Sequence, residues 1–148
     1  MISFFVPGIP APKGSKRALI NRYTGRAALV DSCKRAKPWA AEIAAAARAA
    51  RGATISDPVS LILQFLLPRP KSTPKHVEHQ IKKPDLDKLT RCVLDALTVA
   101  GVYHDDAQVT SKVATKRFAI PPEVPGVAVV VVAGYVDWAS LALGLSAP

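Results

Sequence analysis

The most apolar stretch of the chain is the valine-rich run from Val127 to Val136. A helix needs roughly 20 such residues to cross a bilayer, so this run is too short to span a membrane. Its β-branched residues favour a strand, and its unbroken apolar character predicts a strand that is buried on both faces. The chain therefore has to fold as a sheet with other layers packed around this segment.

Other segments predict the rest of such a fold. Periodicity and flanking residues predict strands at Ile2 to Val6, Val59 to Leu67 and Val109 to Phe118, and helices at Lys37 to Arg51 and Leu89 to Ala100. Strands and helices in this order indicate an α/β (α+β) fold, with a mixed β-sheet and flanking helices. No segment marks a boundary, so we expect residues 1–148 to form a single domain.

The connections are polar or rich in proline. We predict a flexible basic loop from Lys13 to Arg17 and a turn between two short extended pieces from Asn21 to Arg26. Trp138 to Leu145 is predicted to be a short terminal helix that packs on the body or on a second subunit.

The positive charge of the chain is concentrated in its first 118 residues. They contain all 20 Lys and Arg but 9 of the 11 Asp and Glu, which gives this part a charge of +11. Such an excess is typical of a protein that binds a polyanion, although a basic surface can also serve solubility alone. Aromatic residues make up 6% of the chain, so recognition by stacking on exposed rings is not favoured.

The two cysteines, Cys33 and Cys92, are far apart in sequence. They predict neither a disulfide framework nor a four-ligand zinc site, and they suit a reducing cytosol. Because no signal peptide is evident either, we expect a soluble cytoplasmic protein that does not bind membranes.

Two acidic clusters could carry chemistry. Asp85 and Asp87 flank Leu86 on a predicted extended approach to a helix, which would turn both carboxylates to one side. The two carboxylates of such a pair repel each other, and a divalent cation that prefers oxygen ligands, such as magnesium, would relieve the repulsion. Taken alone, the two acids are better explained as N-cap and first-turn residues that interact with the helix dipole.

Asp105 and Asp106 form the second cluster, just after the predicted helix that Gly101 ends. That helix is roughly 18 Å long, so the clusters do not meet along its axis. They can meet if the following loop folds back and the next strand runs antiparallel beside the helix. A site built in this way would face phosphate within a basic surface.

Together these motifs resemble the RusA family of Holliday junction resolvases. The resemblance is carried by Pro84-Asp85-Leu86-Asp87 with Leu89, by Val93 to Leu97 with Gly101, and by Asp105 to Val109; it is looser at Phe4 to Gly14. It implies a homodimeric, Mg²⁺-dependent endonuclease, with Mn²⁺ as a possible substitute, that resolves four-way DNA junctions by paired symmetric nicks. Its place of action would be the cytoplasm of a bacterial or phage-infected cell.

The resemblance assigns metal binding and catalysis to Asp85, Asp87 and Asp106, with Asp105 helping to position the loop. The family often has Asn where this chain has Lys88, and it has a catalytic lysine where this chain has Arg91. An arginine can clamp a phosphate, but its pKa above about 12 makes it a poor proton donor or acceptor. Arg91 could also merely pair with Asp95 on the helix surface.

Further basic residues are expected to contact the DNA backbone. They are Lys13, Lys16, Arg17, Arg69, Lys71, Lys82, Lys83 and Lys88. Two alternatives stay open. One is a non-catalytic or weakly active junction-binding protein on the same scaffold. The other is a phosphodiesterase or nuclease of another fold, or a basic structural protein that uses its acids as helix caps.

Overall fold

The computed structural model describes residues 1–14, 16–20, 22–31, 33–138 and 140, with the side chains of 16–19 and 27–31 left out. In chain order, its elements are β1 (Ile2–Pro7), β2 (Lys16–Ile20), β3 (Ala27–Asp31), α1 (Ala36–Ala50), β4 (Val59–Leu67), α2 (Leu86–Ala100), a 3₁₀ turn (Asp106–Gln108), β5 (Val109–Phe118) and β6 (Gly126–Ala133). Most of the predicted terminal helix, Trp138 to Leu145, lies outside the described residues.

The main sheet has four strands in the order β1-β6-β4-β5. β6 pairs antiparallel with both β1 and β4, whereas β4 and β5 are parallel. This confirms the predicted mixed sheet with flanking helices. Parallel neighbours need a crossover, and α2 supplies it by running back between the end of β4 and the start of β5.

Both helices pack on the same face of the sheet. Trp39 and Ile43 of α1 and Leu89, Val93 and Leu97 of α2 join a core with the alternate, fully buried residues of β4 and β6. α1 contacts β1, and α2 contacts α1 and β5. The apolar side chains at 0% exposure therefore belong to one continuous layer between helices and sheet.

The prediction that the valine-rich strand is buried on both faces was wrong. Val127, Val129 and Val131 are fully buried, but Ala128 and Val130 on the other face are only half-buried. The reason is that, among the described residues, α1 and α2 cover only one face of the sheet. The strand also ends earlier than predicted, at Ala133, where Gly134 adopts φ 102°.

The basic loop predicted from Lys13 to Arg17 is also different in the structure. From Lys16 onward the chain forms β2, which pairs with β3 as an antiparallel two-stranded sheet. The turn predicted between extended pieces at Asn21 to Arg26 agrees with the described residues 22–26, which lie between these strands; residue 21 lies outside the described residues. No helix of the described residues has the length and apolar character needed to cross a membrane.

Candidate active site

Asp85 occupies the N-cap position of α2. Its backbone is extended, with φ −73° and ψ 142°, and its side chain makes no capping hydrogen bond. The carboxylate instead lies 3.3 Å from the ammonium of Lys88, and both side chains are more than 40% exposed. An exposed ion pair of this kind is worth little, so Asp85 keeps a carboxylate that the fold does not need.

Asp87 lies inside the first turn of α2, because the helix begins at Leu86 rather than at the predicted Leu89. The extended stretch that was predicted to carry both acids therefore ends at Asp85. Leu86 does pack against the core, as expected, while Asp87 is exposed. Asp85 and Asp87 thus flank an anchored leucine at the point where the helix starts.

Arg91 follows Asp87 by one helical turn and is exposed. The alternative that it pairs with Asp95 is not what the structure shows, since the Asp95 carboxylate pairs with the ammonium of Lys13. Residues four apart on a helix share a face, so the guanidinium lies on the same side of α2 as Asp87. Arg91 can therefore contact an anion that binds near Asp87.

Lys116, near the end of β5, holds the loop that carries Asp85. Its ammonium donates to the carbonyl oxygens of Lys82, at 3.0 Å, and Pro84, at 2.8 Å. The side chain is half-buried. Sequence reasoning missed this residue because a lysine in an alternating strand looks solvated, and only the fold brings β5 against residues 82–84.

A cleft of about 650 Å³ opens beside Asp85. Its apolar wall includes Pro10 and Pro12, and its polar groups include Arg35, Lys83 and Lys88, which leave Asp85 as the acid among three cations. Proline rings and cations suit a nucleotide, with an apolar surface for the base and positive charge for the phosphate. The dimensions and the charges therefore fit one unit of a nucleic-acid strand.

A second groove, of about 460 Å³, lies between α1 and α2 and is walled mainly by alanines. The Lys13–Asp95 pair and Cys92 lie along it. Burial, followed by the nearby Asp95 charge, raises the pKa of the Cys92 thiol to about 11, which keeps it protonated near neutrality. The thiol of this groove is therefore unreactive near neutrality, and its Asp95 carboxylate is paired with Lys13.

The Asp105 carboxylate stabilises the loop that follows α2. It accepts a hydrogen bond from the Ala107 amide at 2.8 Å and forms a capping box with Gln108 at the start of the 3₁₀ turn. The Gln108 amide nitrogen in turn donates to the carbonyl oxygens of Ile55 and Asp57, each at 3.1 Å. These bonds fix the loop after α2 and leave the neighbouring Asp106 exposed.

The two acidic clusters lie at opposite edges of the sheet. Asp85 lies near the carboxyl end of β4, because it lines the cleft together with Leu67 and Pro68. Asp106 directly precedes β5, at the amino end of the parallel pair. α2 does run antiparallel to β5, as the meeting of the clusters required, but its 15 residues span roughly 22 Å. Within the described part of one chain, no group of three acidic, His or Cys side chains is close enough to hold a metal ion.

The basic residues expected to contact DNA fall into different environments. Lys71, Lys82 and Lys83 are exposed, whereas Lys13 and Lys88 are engaged in ion pairs with acids of the site region. Arg69 is occupied within its loop, where it donates to the carbonyls of Pro74 and Val77 and lies over the Phe118 ring. The side chains of Lys16 and Arg17 lie outside the described part of the chain.

Comparison with known proteins gives a family for this arrangement. The family model described as Endodeoxyribonuclease RusA matches residues 9–131, which contain both acidic clusters and the cleft. A search of the curated proteins found no match. Nucleases of the matched family depend on a metal ion. This chain belongs to the RusA family of endodeoxyribonucleases.

Proposed function

We propose that this endonuclease is a Mg²⁺-dependent, homodimeric resolvase that cuts four-way DNA junctions by paired nicks, with Asp85, Asp87 and Asp106 as its metal-binding and catalytic acids. The observation that carries the proposal is that Asp87 and Asp106 are exposed, that Asp85 is half-exposed, and that no side-chain cap from these acids is found in the described residues. These carboxylates therefore contribute little to the stability of the fold, and a basic cleft lies beside Asp85.

The donor chemistry fits a hard divalent cation, but the spacing within one chain does not. Carboxylate oxygens are the ligands that Mg²⁺ prefers, and Mn²⁺ takes the same set. Since no group of three described acids converges in one chain, a site with Asp85, Asp87 and Asp106 needs a second copy. We propose that Asp106 of one protomer completes the site of its partner.

A two-fold symmetric dimer would contain two such shared sites, since a contact between one pair of surfaces is repeated by symmetry. Two sites match the two strands that a junction resolvase has to cut. Dimerisation would then control cleavage, because a lone protomer would lack a complete set of ligands. This organisation also explains why the fold positions Asp106 so firmly, through Asp105 and Gln108, at an edge remote from Asp85.

Each of the chain's own residues has a definite part in this proposal. Arg91, on the face of Asp87, would hold a phosphate oxygen and stabilise the charge of the transition state. It would not transfer a proton, because its guanidinium stays charged. Lys116 would keep the Asp85 loop in place, and the exposed Lys71, Lys82 and Lys83 would contact the DNA backbone. The bound cation would polarise the scissile phosphate and lower the pKa of water.

Mixing two inactive variants tests the shared site. Asp85→Asn and Asp106→Asn proteins, each inactive alone, are unfolded together and refolded so that roughly half of the dimers contain one of each. Each mixed dimer has one site with both substitutions and one intact site. We expect nicking of one strand of a synthetic four-way junction to return to about a quarter of the wild-type site concentration.

The number of DNA strands that are nicked distinguishes the outcomes. A mixed dimer should nick without resolving, since only one of its sites is complete. If the mixture stays as inactive as its parents, the three aspartates do not act across two copies. Equal recovery from Asp85→Asn mixed with Asp87→Asn would also contradict the shared site, because those two changes disable the same half of it.

A weakly active junction-binding protein remains the second candidate, and the Lys88–Asp85 ion pair favours it. Lys88 neutralises a proposed ligand in the structure, and Arg91 replaces the family's lysine. If this reading is right, Arg91→Lys raises the nicking rate of a poorly active wild type. Robust Mg²⁺-dependent nicking by the wild-type protein would exclude it.

A further inference from the structure

The β2–β3 hairpin, residues 16–31, is an extension outside the main sheet. In the described part of the chain its two strands pair with each other and not with the four-stranded sheet. Two strands alone bury little apolar surface and are at best marginally stable in water. The described turn of the hairpin, residues 22–26, is exposed and is the part that a partner molecule would meet first.

The tip of the hairpin presents an aromatic ring between two cations. Arg22, Tyr23 and Arg26 are all exposed, and the Tyr23 side chain is 99% accessible. Gly25 forms the turn with a left-handed φ of 64°. An exposed ring contributes no burial to the fold, but a base can stack on it, and guanidinium groups bind phosphates. The combination matches a strand of nucleic acid.

The hairpin starts and ends at the cleft beside Asp85. Gly14 and Cys33, which precede and follow it, both line that cleft. The Lys13 amide also donates to the Lys88 carbonyl oxygen at 3.0 Å, and this bond anchors the chain on α2 just before the hairpin begins. β2 has five residues and therefore reaches roughly 17 Å. DNA bound at Asp85 would lie within reach of the tip.

We infer that the hairpin recognises the branch point of the DNA, with the Tyr23 ring stacked on a base pair whose face is exposed there and Arg22 and Arg26 on the flanking phosphates. This rests on the proposed function, which brings branched DNA to the cleft. Bases in an intact duplex are stacked on each other and offer no free face. A branch point offers base pairs with an exposed face, so the ring would favour branched over linear DNA without reading sequence.

Equilibrium binding to a four-way junction and to a linear duplex tests the inference in an Asp85→Asn background, which prevents cleavage. Tyr23→Ser should weaken junction binding roughly tenfold. It should leave duplex binding unchanged, and Tyr23→Phe should retain wild-type affinity for both. Tyr135→Ser is the matched control, since Tyr135 is 64% exposed but lies outside the hairpin. An equal loss on both DNAs, or no loss, overturns the inference.

Photo-crosslinking locates the contact independently of affinity. A 5-iodouracil at the branch point should crosslink to the peptide that contains Tyr23, whereas one in the middle of a duplex arm should not. Removing both arginines should lower the slope of log affinity against log salt by roughly 2. Crosslinking from the duplex arm alone would contradict branch-point recognition. If Asp85→Asn still nicks, the proposed catalytic site fails, while these binding results still report on the hairpin.

Discussion

The carboxyl and amino edges of the β4–β5 pair each carry two aspartates, and the two edges differ in whether an aspartate side chain caps a helix or turn. At the amino edge, Asp105 caps the 3₁₀ turn, and its neighbour Asp106 is left exposed. At the carboxyl edge neither acid caps: Asp85 occupies the N-cap position without a side-chain bond, and Asp87 is exposed. Adjacent acids of one motif can therefore differ in whether they stabilise the fold.

The largest effect should come from removing the acids that the fold does not use. Asp85→Asn, Asp87→Asn and Asp106→Asn should each lower the rate of junction nicking by at least about 100-fold, as loss of transition-state stabilisation does elsewhere. Junction affinity should be retained. Gel assays of nicking and binding measure both. An Asp106→Asn protein with wild-type activity would separate the amino edge from the reaction.

Lys116 tests how far the carboxyl edge depends on a rigid loop. Lys116→Met removes both hydrogen bonds to the loop before Asp85, and we expect the turnover number to fall about tenfold because misplacement of a reacting group slows the chemical step. The KM for the junction should stay the same. Steady-state kinetics separate the two. A change in KM alone would mean that Lys116 contacts DNA rather than positions Asp85.

At the amino edge, alanine at neighbouring positions should give opposite results. Asp105→Ala removes a capping carboxylate and should destabilise the protein by about 1 kcal/mol. Asp106→Ala should change stability by less than about 0.5 kcal/mol, as exposed substitutions usually do. Urea unfolding at neutral pH measures both. Equal destabilisation would show that Asp106 is also part of the loop's structure.

The smallest effect concerns Glu123, in the connection that follows β5 at the carboxyl edge. Two hydrogen bonds from Arg117, each 2.6 Å long, and a third from the Ile120 amide lower the pKa of this carboxyl from 4.5 to about 2. A lowered pKa means that the bonds stabilise the fold above pH 4.5 and cease to do so as the pH falls through about 2.

Because Glu123 is exposed, its contribution is small at any pH. We expect Glu123→Gln to unfold at slightly lower urea concentration than wild type at neutral pH, with the difference vanishing near pH 2. A chemical-shift titration of the Glu123 carboxyl gives the pKa directly. A titration midpoint at the ordinary value would mean that the ion pair does not form in solution.

Local pattern predicted several elements closely. β4 and β5 have the predicted bounds, because their runs of apolar or alternating residues end at clear polar or proline signals. α2 begins three residues before its predicted start, at Leu86, since its first turn is polar and leaves no apolar periodicity to detect. The pairing of β2 with β3 is a contact between two short segments of five residues each, and hydrophobic pattern does not predict it.

The sequence by itself determined the basic charge, the strands and helices, and the motifs that resemble RusA nucleases, because each is written in nearby residues. Tertiary structure alone decided where the aspartates lie. Parallel pairing of β4 with β5 sends the chain back along α2 and places Asp85 and Asp106 at opposite ends of these strands. Periodicity states which face of a segment is buried, but strand order and direction depend on contacts between distant parts of the chain.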